Sequence, residues 1–237
     1  MRVIDVSTFQ GKVKKIDWQK VKESGIAGAM IRAGYGQNNI DVDFEYNIKE
    51  CNRLGIPCGV YWMSYAKTAQ DAIREANFCL KAVAPYKLEM PIAFDYEYAS
   101  ESGASLTTIQ RTSFVYAFLC QIQAAGYYGM LYTNSDYLNY KLGDVSPFDI
   151  WYAAYQSEPN TAKPPRDCGI WQWGTTTVSG VYGDCDMNEA YKNYPSIIRS
   201  AGLNHLAEKE PVVLTAEEKL DKILAELTEW KTGGKQV

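Results

Sequence analysis

Val3-Ile4-Asp5-Val6, followed by Ser7-Thr8-Phe9-Gln10-Gly11, is the stretch that separates two architectures for this chain. The first four residues read as a short buried strand. In an open doubly wound sheet, the turn after that strand usually carries a glycine-rich ligand-binding signature. Ser-Thr-Phe-Gln-Gly is no phosphate loop. Outward from there, β-rich apolar runs alternate with helical patterns. Strands are expected at 3–6, 27–33, 58–64, 91–96, 130–133, 150–154 and 170–173, and helices at about 17–25, 43–54, 68–83 and 106–125. Phe44, Ile48, Cys51 and Leu54 recur at helical spacing, and Gly25, Gly55 and Gly126 stand where helices should stop. Repeated β-then-α units imply parallel strands with right-handed crossovers. Seven or eight strands in about 200 residues fit a closed barrel, an α/β fold of TIM type. After Asn134 the helical signal fades, so the late crossovers are expected to be loops.

Composition narrows the chemistry. The chain has 237 residues, 46% hydrophobic and 22% charged, as expected of a globular protein. A net charge of −4 argues against a nucleic-acid partner held by a basic face. No run of 18 apolar residues exists, so membrane insertion is not expected. The single histidine, His205, sits in a segment that reads as a tail. Histidine-rich zinc sites are therefore excluded, and a nucleophile–histidine pair would depend on that one residue. Cys51, Cys58, Cys79, Cys120, Cys168 and Cys185 form no C-x-x-C pair and are expected to be free thiols. The start Met1-Arg2-Val3 has no secretory pattern, implying synthesis in a cytoplasm without a Sec signal, or a mature form whose signal was removed.

Past Ser200 the texture changes. Residues 207–211 read as a linker, then Thr215 and Glu218 match a capping box. Leu220, Ile223, Leu224, Leu227 and Trp230 form an apolar stripe that ends at Gly233-Gly234. The expected division is a barrel over 1–205 and a linker with an amphipathic C-terminal helix over 206–237. That helix either docks on the barrel or joins copies of the chain through residues 215–232.

The candidate chemistry is carboxylate chemistry. Met90-Pro-Ile-Ala-Phe-Asp95-Tyr-Glu97 is an apolar strand ending in two acids two residues apart, on one side, at the end where barrel sites lie. Two close carboxylates shielded by aromatic rings do not both ionise easily, and one should act as an acid near neutral pH. Asp5 ends the first strand, and Asp186 follows the last expected strand. First and last strands of a closed barrel are neighbours, so all four acids can share one mouth. Asp5 could instead form a turn with the Ser-Thr after it, and a metal held by the same acids is the rival reading. No cofactor or metal is expected, since no D-x-[DN]-x-[DN]-G loop is present. The sequence holds 18 Tyr and 6 Trp. Tyr35, Tyr61, Trp62, Tyr132, Trp151 and Trp173 lie near strand ends, where rings can stack on sugars, while Asn134 and Gln172 offer hydrogen bonds.

Asp5-Val6-Ser7, Asp17-Trp18, Ile31-Arg32-Ala33-Gly34-Tyr35-Gly36, Asp43-Phe44, Gly59-Val60-Tyr61-Trp62, Asp95-Tyr96-Glu97, Trp151-Tyr152-Ala153-Ala154, Trp171-Gln172-Trp173 and Asp186-Met187-Asn188 together resemble the glycoside hydrolase family 25 lysozymes, which include phage endolysins. The resemblance covers about residues 1–200 and implies an irregular (β/α)5(β)3 barrel. It also implies hydrolysis of the β-1,4 bond between N-acetylmuramic acid and N-acetylglucosamine in bacterial peptidoglycan. On that resemblance Glu97 matches the general acid. Asp95 matches its partner, either stabilising the oxocarbenium charge or orienting the substrate's 2-acetamido group, and Asp5 and Asp186 match flanking acids. Two departures stand out: Trp62 occupies a position where many members have His, and Trp173 one where they have Tyr. Family-type wall-binding repeats are not visible after residue 205. Two other readings remain open at this level: a non-catalytic glycan-binding barrel, and a hydrolase of another β-linked polymer such as chitin.

Overall fold

Strands that are apolar on both faces must be covered on both, and a barrel does this with a filled lumen and an outer ring of helices. The computed structural model describes residues 1–101, 103–155, 164 and 166–206. Its strands are β1 Arg2–Val6, β2 Gly28–Tyr35, β3 Asn39–Ile40, β4 Cys58–Met63, β5 Ile92–Asp95, β6 Gly129–Asn134, β7 Asp149–Ala153, β8 Ile170–Thr177 and β9 Asp184–Ala190. The helices are α1 Thr8–Gly11, α2 Trp18–Glu23, α3 Phe44–Leu54, α4 Ala69–Val83, α5 Tyr98–Glu101, α6 Thr108–Ala124 and α7 Tyr194–Ser200, with a π-helical turn at Tyr137–Lys141. Strands pair in the order β1-β9-β8-β7-β6-β5-β4-β2, and β1 pairs with β2 to close the ring, while β3 hangs on β2 as a short hairpin.

Helical connections follow β1, β2, β4 and β5, the π turn follows β6, and β8 leads to β9 by a short loop. This is the five-plus-three barrel that the resemblance implies. The helix starts are chemically marked: Asp17, Thr68 and Thr107 each accept a backbone N–H of the first turn. Gly55 ends α3 at φ +66°, a left-handed conformation that favours glycine.

Period-2 alternation splits the strands into two cores. Ile4, Ile31, Val60, Trp62, Phe94, Leu131 and Trp171 pack outward with helix residues such as Ile48, Cys79 and Phe118. Val3, Met30, Ala93, Met130, Trp151 and Ile170 form the other cluster, which fills the lumen and is plugged by Tyr194 and Ile198 of α7. Asp5, Arg32, Tyr61, Asp95, Tyr132, Gln172 and Asn188 share the parity of the lumen cluster and continue it towards the C-terminal ends of the parallel strands, so a polar mouth sits on an apolar plug.

Several expectations need correction. Asp186 does not follow the last strand; it lies within β9, which runs antiparallel to both β1 and β8. His205 is no tail residue, since its ring meets Tyr127 edge-on at 4.8 Å and the adjacent Asn204 donates its backbone N–H to Gly126 at the opposite end of the barrel from the mouth. The six cysteines are free, and Cys120 alone is exposed. The expected linker and helix over 206–237 lie, beyond Leu206, outside the described residues.

Candidate active site

Three strand ends supply the acids. Asp5 of β1 stands directly opposite Asp186 of β9 in the antiparallel register, a pairing in which like charges repel. Asp95 is the last residue of β5, level with Met63 of β4 and Tyr132 of β6. Glu97 lies two residues further on, in a bend rather than in the strand. The bend is fixed locally: Ser100 Oγ accepts the Glu97 N–H at 3.1 Å, and the Ser100 N–H returns to Glu97 O at 3.0 Å. Beyond it, Glu101 takes a two-pronged contact from Arg111 at 2.6 and 2.9 Å and accepts the Tyr137 hydroxyl at 2.7 Å. That network anchors α5 and with it the chain carrying Glu97.

All four acids border one trough of about 390 Å³. Tyr61, Tyr132, Trp151 and Gln172 line it as expected, together with Ser7, Phe9, Gln10, Arg32, Met63 and Tyr155. A continuous chain of hydrogen bonds sets the wall. Tyr132 Oη donates to Gln172 Oε1, and Gln172 Nε2 and Asn188 Nδ2 both donate to Asp5 Oδ2, each at 2.9 Å. Trp151 Nε1 donates to Asn188 Oδ1 at 2.7 Å, and Tyr155 Oη to Asp186 Oδ1 at 2.5 Å. Asp95 is different: its Oδ1 is buried and has no hydrogen-bond partner among the described residues.

Burial is the leading cause of raised proton affinity throughout. It pushes the Asp5 carboxyl up to about 7, helped by the Asp186 charge and opposed by the Asn188 and Gln172 bonds. Asp95 is raised well above the usual carboxylate range by burial, then by Glu97 and Asp5, with Arg32 pulling the other way. Glu97 is raised by burial, and Asp186 by burial against the Tyr155 bond. Such a site keeps a proton available near neutral pH.

Four expected substrate contacts do not line this trough. Trp62 and Trp173 pack in the outer core, because each follows an inward residue, Tyr61 or Gln172, and neighbours on a strand face opposite ways. Trp62 is fully buried, and its Nε1 donates to Gly36 O at 3.1 Å. Gly34 has no side chain for the same reason: a Cβ there would lie 2.6 Å from the Trp62 ring. Asn134 has the inward parity but spends its Oδ1 on the backbone N–H groups of Asp136 and Tyr137. Tyr35 borders an adjoining groove instead. Trp62→Phe is therefore expected to lower the unfolding free energy by about 1–3 kcal/mol, through the orphaned Gly36 carbonyl and lost packing, while kcat stays within about twofold. Denaturant melts with parallel rate measurements check this; a collapse in kcat at unchanged stability would return Trp62 to the site. Of the residues missed, Arg32 was legible from parity with Met30, whereas Ser7 and Gln10 line the trough only because they build the capping box of α1.

The Asp5 shift carries a signed consequence for stability. Its proton affinity in the fold exceeds the ordinary 3.8, so between about pH 4 and 7 the folded state keeps a proton that the unfolded chain has released. Stability contributed by this group is present at low pH and lost as pH rises through that window. Asp5→Asn keeps an oxygen for both amide donors and removes the charge facing Asp186. It should melt above wild type at pH 8, by about 2–4 °C for each kcal/mol relieved, with the gap closing towards pH 4. Melting curves across that range test it, and a pH-independent gap would refute the cause assigned.

A closed barrel with paired carboxyl groups at its C-terminal mouth and an aromatic wall has the make-up of the barrel glycoside hydrolases. Residues 4–181 match Glycosyl hydrolases family 25, and the chain belongs to that family. It is 28% identical over 201 residues to "Lysozyme M1" of Streptomyces globisporus, covering 78% of this chain and 66% of that protein. It is 26% identical over 193 residues to "Autolytic lysozyme" of Clostridium acetobutylicum, covering 80% and 55%. The modular autolysin LytC from Streptococcus pneumoniae, solved in complex with a synthetic peptidoglycan ligand, is similar at a TM-score of 0.68 and 29% identity, covering 79% of this chain and 46% of that one. The chain thus spans about two thirds or less of the length of these relatives.

Proposed function

We propose that this barrel is a muramidase, cleaving the β-1,4 bond between N-acetylmuramic acid and N-acetylglucosamine in bacterial peptidoglycan. The observation that carries the reading is the convergence of Asp5, Asp95, Glu97 and Asp186 on one trough walled by Tyr61, Tyr132 and Trp151. Family membership and the lysozyme names of its relatives support the same substrate. In this reading residues 1–205 are the catalytic unit and the bacterial wall is the target, as for an endolysin.

Glu97, half-buried and raised in proton affinity, holds the proton that passes to the glycosidic oxygen as the bond to the anomeric carbon breaks. Positive charge then develops on the muramic ring. With the proton of the pair on Glu97, Asp95 is ionised and answers that charge, either directly or by accepting the 2-acetamido N–H so that the acetamido oxygen closes on the anomeric carbon. Its unpaired Oδ1 suits both roles. Asp5 and Asp186 flank the pair, and the amide donors of Gln172 and Asn188 keep Asp5 fixed.

The test is digestion of purified peptidoglycan, followed by clearing and by mass analysis of new reducing ends. Muramic acid at those ends is the expected result. N-acetylglucosamine ends, cleavage of chitin oligomers in preference, or binding without turnover would each reject the assignment.

A further inference from the structure

Arg32 is the only basic residue lining the acid trough among the described residues. It is nine-tenths buried, and its Nε donates to Asp41 Oδ2 at 2.7 Å. Asp41 is itself held by the backbone N–H groups of Thr8 and Asp43, at 3.0 and 2.9 Å. The guanidinium carbon sits 5.2 Å from the Phe9 ring centroid and 5.5 Å from that of Tyr35. Its position is therefore fixed on three sides, yet its two terminal nitrogens have no hydrogen-bond partner among the described residues. A buried guanidinium with free donors is a ready receptor for a planar anion.

Arg32 draws down the proton affinity of Asp95, but that duty does not explain the space beyond it. A second groove of about 510 Å³ shares Phe9, Arg32 and Met63 with the trough and continues past Tyr35 and Tyr65 to Ile40 and Val42. Its walls are mainly apolar, with Lys12 at the edge. Phe9 is 59% exposed and Val42 81%. Contiguous apolar surface beside a polar trough marks a binding face. Thr8 and Asp41 also border the groove, but the Asp41 carboxylate is already taken by Arg32 and by the Thr8 and Asp43 N–H groups, which leaves a pyranose rim few partners. Small apolar side chains joined to a carboxylate match it better.

We propose that the groove receives the peptide arm carried by muramic acid. The arm hangs from the lactyl ether of the sugar and begins with an alanyl residue followed by an acidic one. Its carboxylate pairs with the free nitrogens of Arg32, and its methyl groups lie against Phe9 and Tyr35. Arg32 is then the residue by which the site prefers peptide-bearing glycan. This rests on the muramidase reading, and the measurement that tests it needs no turnover.

The probes are a soluble muramyl dipeptide with a free glutamate α-carboxylate and the same compound amidated at that carboxylate. Calorimetric titration of the full chain should show the acid binding about tenfold tighter than the amide, the scale of one charge-assisted contact. Arg32→Met should equalise the two, and Arg32→Lys should keep part of the difference. Val42→Asp, on the exposed rim, should weaken the acid more than the amide, and it carries the test if a melt shows Arg32→Met to be unfolded. Equal affinities in the wild type, or a preference that survives Arg32→Met, would overturn the proposal. Peptidoglycan clearing is scored separately, so a failure of the reaction and a failure of the peptide site give different results.

Discussion

Glu97→Gln should reduce peptidoglycan hydrolysis by about a thousandfold or more while leaving the fold intact. Glutamine preserves the shape of the side chain and the bend hydrogen bonds, which use the backbone of residue 97 rather than its carboxyl group. What it removes is the transferable proton, a contribution of about 10²–10⁴ to rate in general acid catalysis. Glu97 is half-buried and burial raises its proton affinity, so a neutral amide is no harder to accommodate than the acid, and the melting temperature should hold or rise. A leaving group that departs without protonation bypasses the lost step. An activated aryl glycoside of the disaccharide should therefore recover much of the rate that polymer cleavage loses. Initial rates on both substrates check this, and a polymer rate within tenfold of wild type would remove Glu97 from the acid role.

The closed barrel could be read from residues 3–11 and the β-then-α rhythm because most strands are short apolar runs and the longer helices end at a glycine or begin at a capping residue. β9 escaped detection for a physical reason. Asp184-Cys-Asp-Met-Asn-Glu-Ala190 alternates as a strand should, but Cys185 and Met187 pack in the outer core while Asp186 and Asn188 face the mouth above Ala190 of the lumen cluster. A strand whose inward face is polar lacks the apolar run by which the others were found. The acids were legible because strand ends at a barrel's mouth are a fixed address for chemistry. The aromatic contacts were less so. Tyr61 and Trp62, like Gln172 and Trp173, are sequence neighbours and cannot both face the trough; with both faces of the barrel apolar, composition favours neither, and only parity from a known inward residue decides. Asn134 had the right parity and was lost to the turn it caps. Tyr155 reaches the trough through its bond to Asp186, a contact that depends on how β7 and β9 lie across the barrel.

In the proposed mechanism Asp95 answers the charge that develops on the sugar, and Asp95→Asn is expected to cut kcat by about a hundredfold or more with a smaller change in KM. The carboxyl group is buried, one of its oxygens is unpaired, and its neighbours are Glu97 and Asp5. Apart from the pull of Arg32, nothing in that arrangement stabilises the resting carboxylate. An interaction realised only when the substrate's charge appears lowers kcat when removed, whereas one used equally in the ground state would raise KM. The loss of one preorganised electrostatic group is worth about 10²–10³ in rate. Repulsion between carboxylates is mutual: if Glu97 raises the proton affinity of Asp95, an ionised Asp95 must raise that of Glu97. Replacing Asp95 by a neutral amide therefore lets Glu97 ionise more easily, and the alkaline limb of kcat/KM should move to lower pH. A purely structural role for Asp95 would change stability and leave that limb where it is. A pH–rate profile of Asp95→Asn with an unshifted alkaline limb, or near-wild-type turnover at any pH, would show that the two carboxyl groups do not work as a pair.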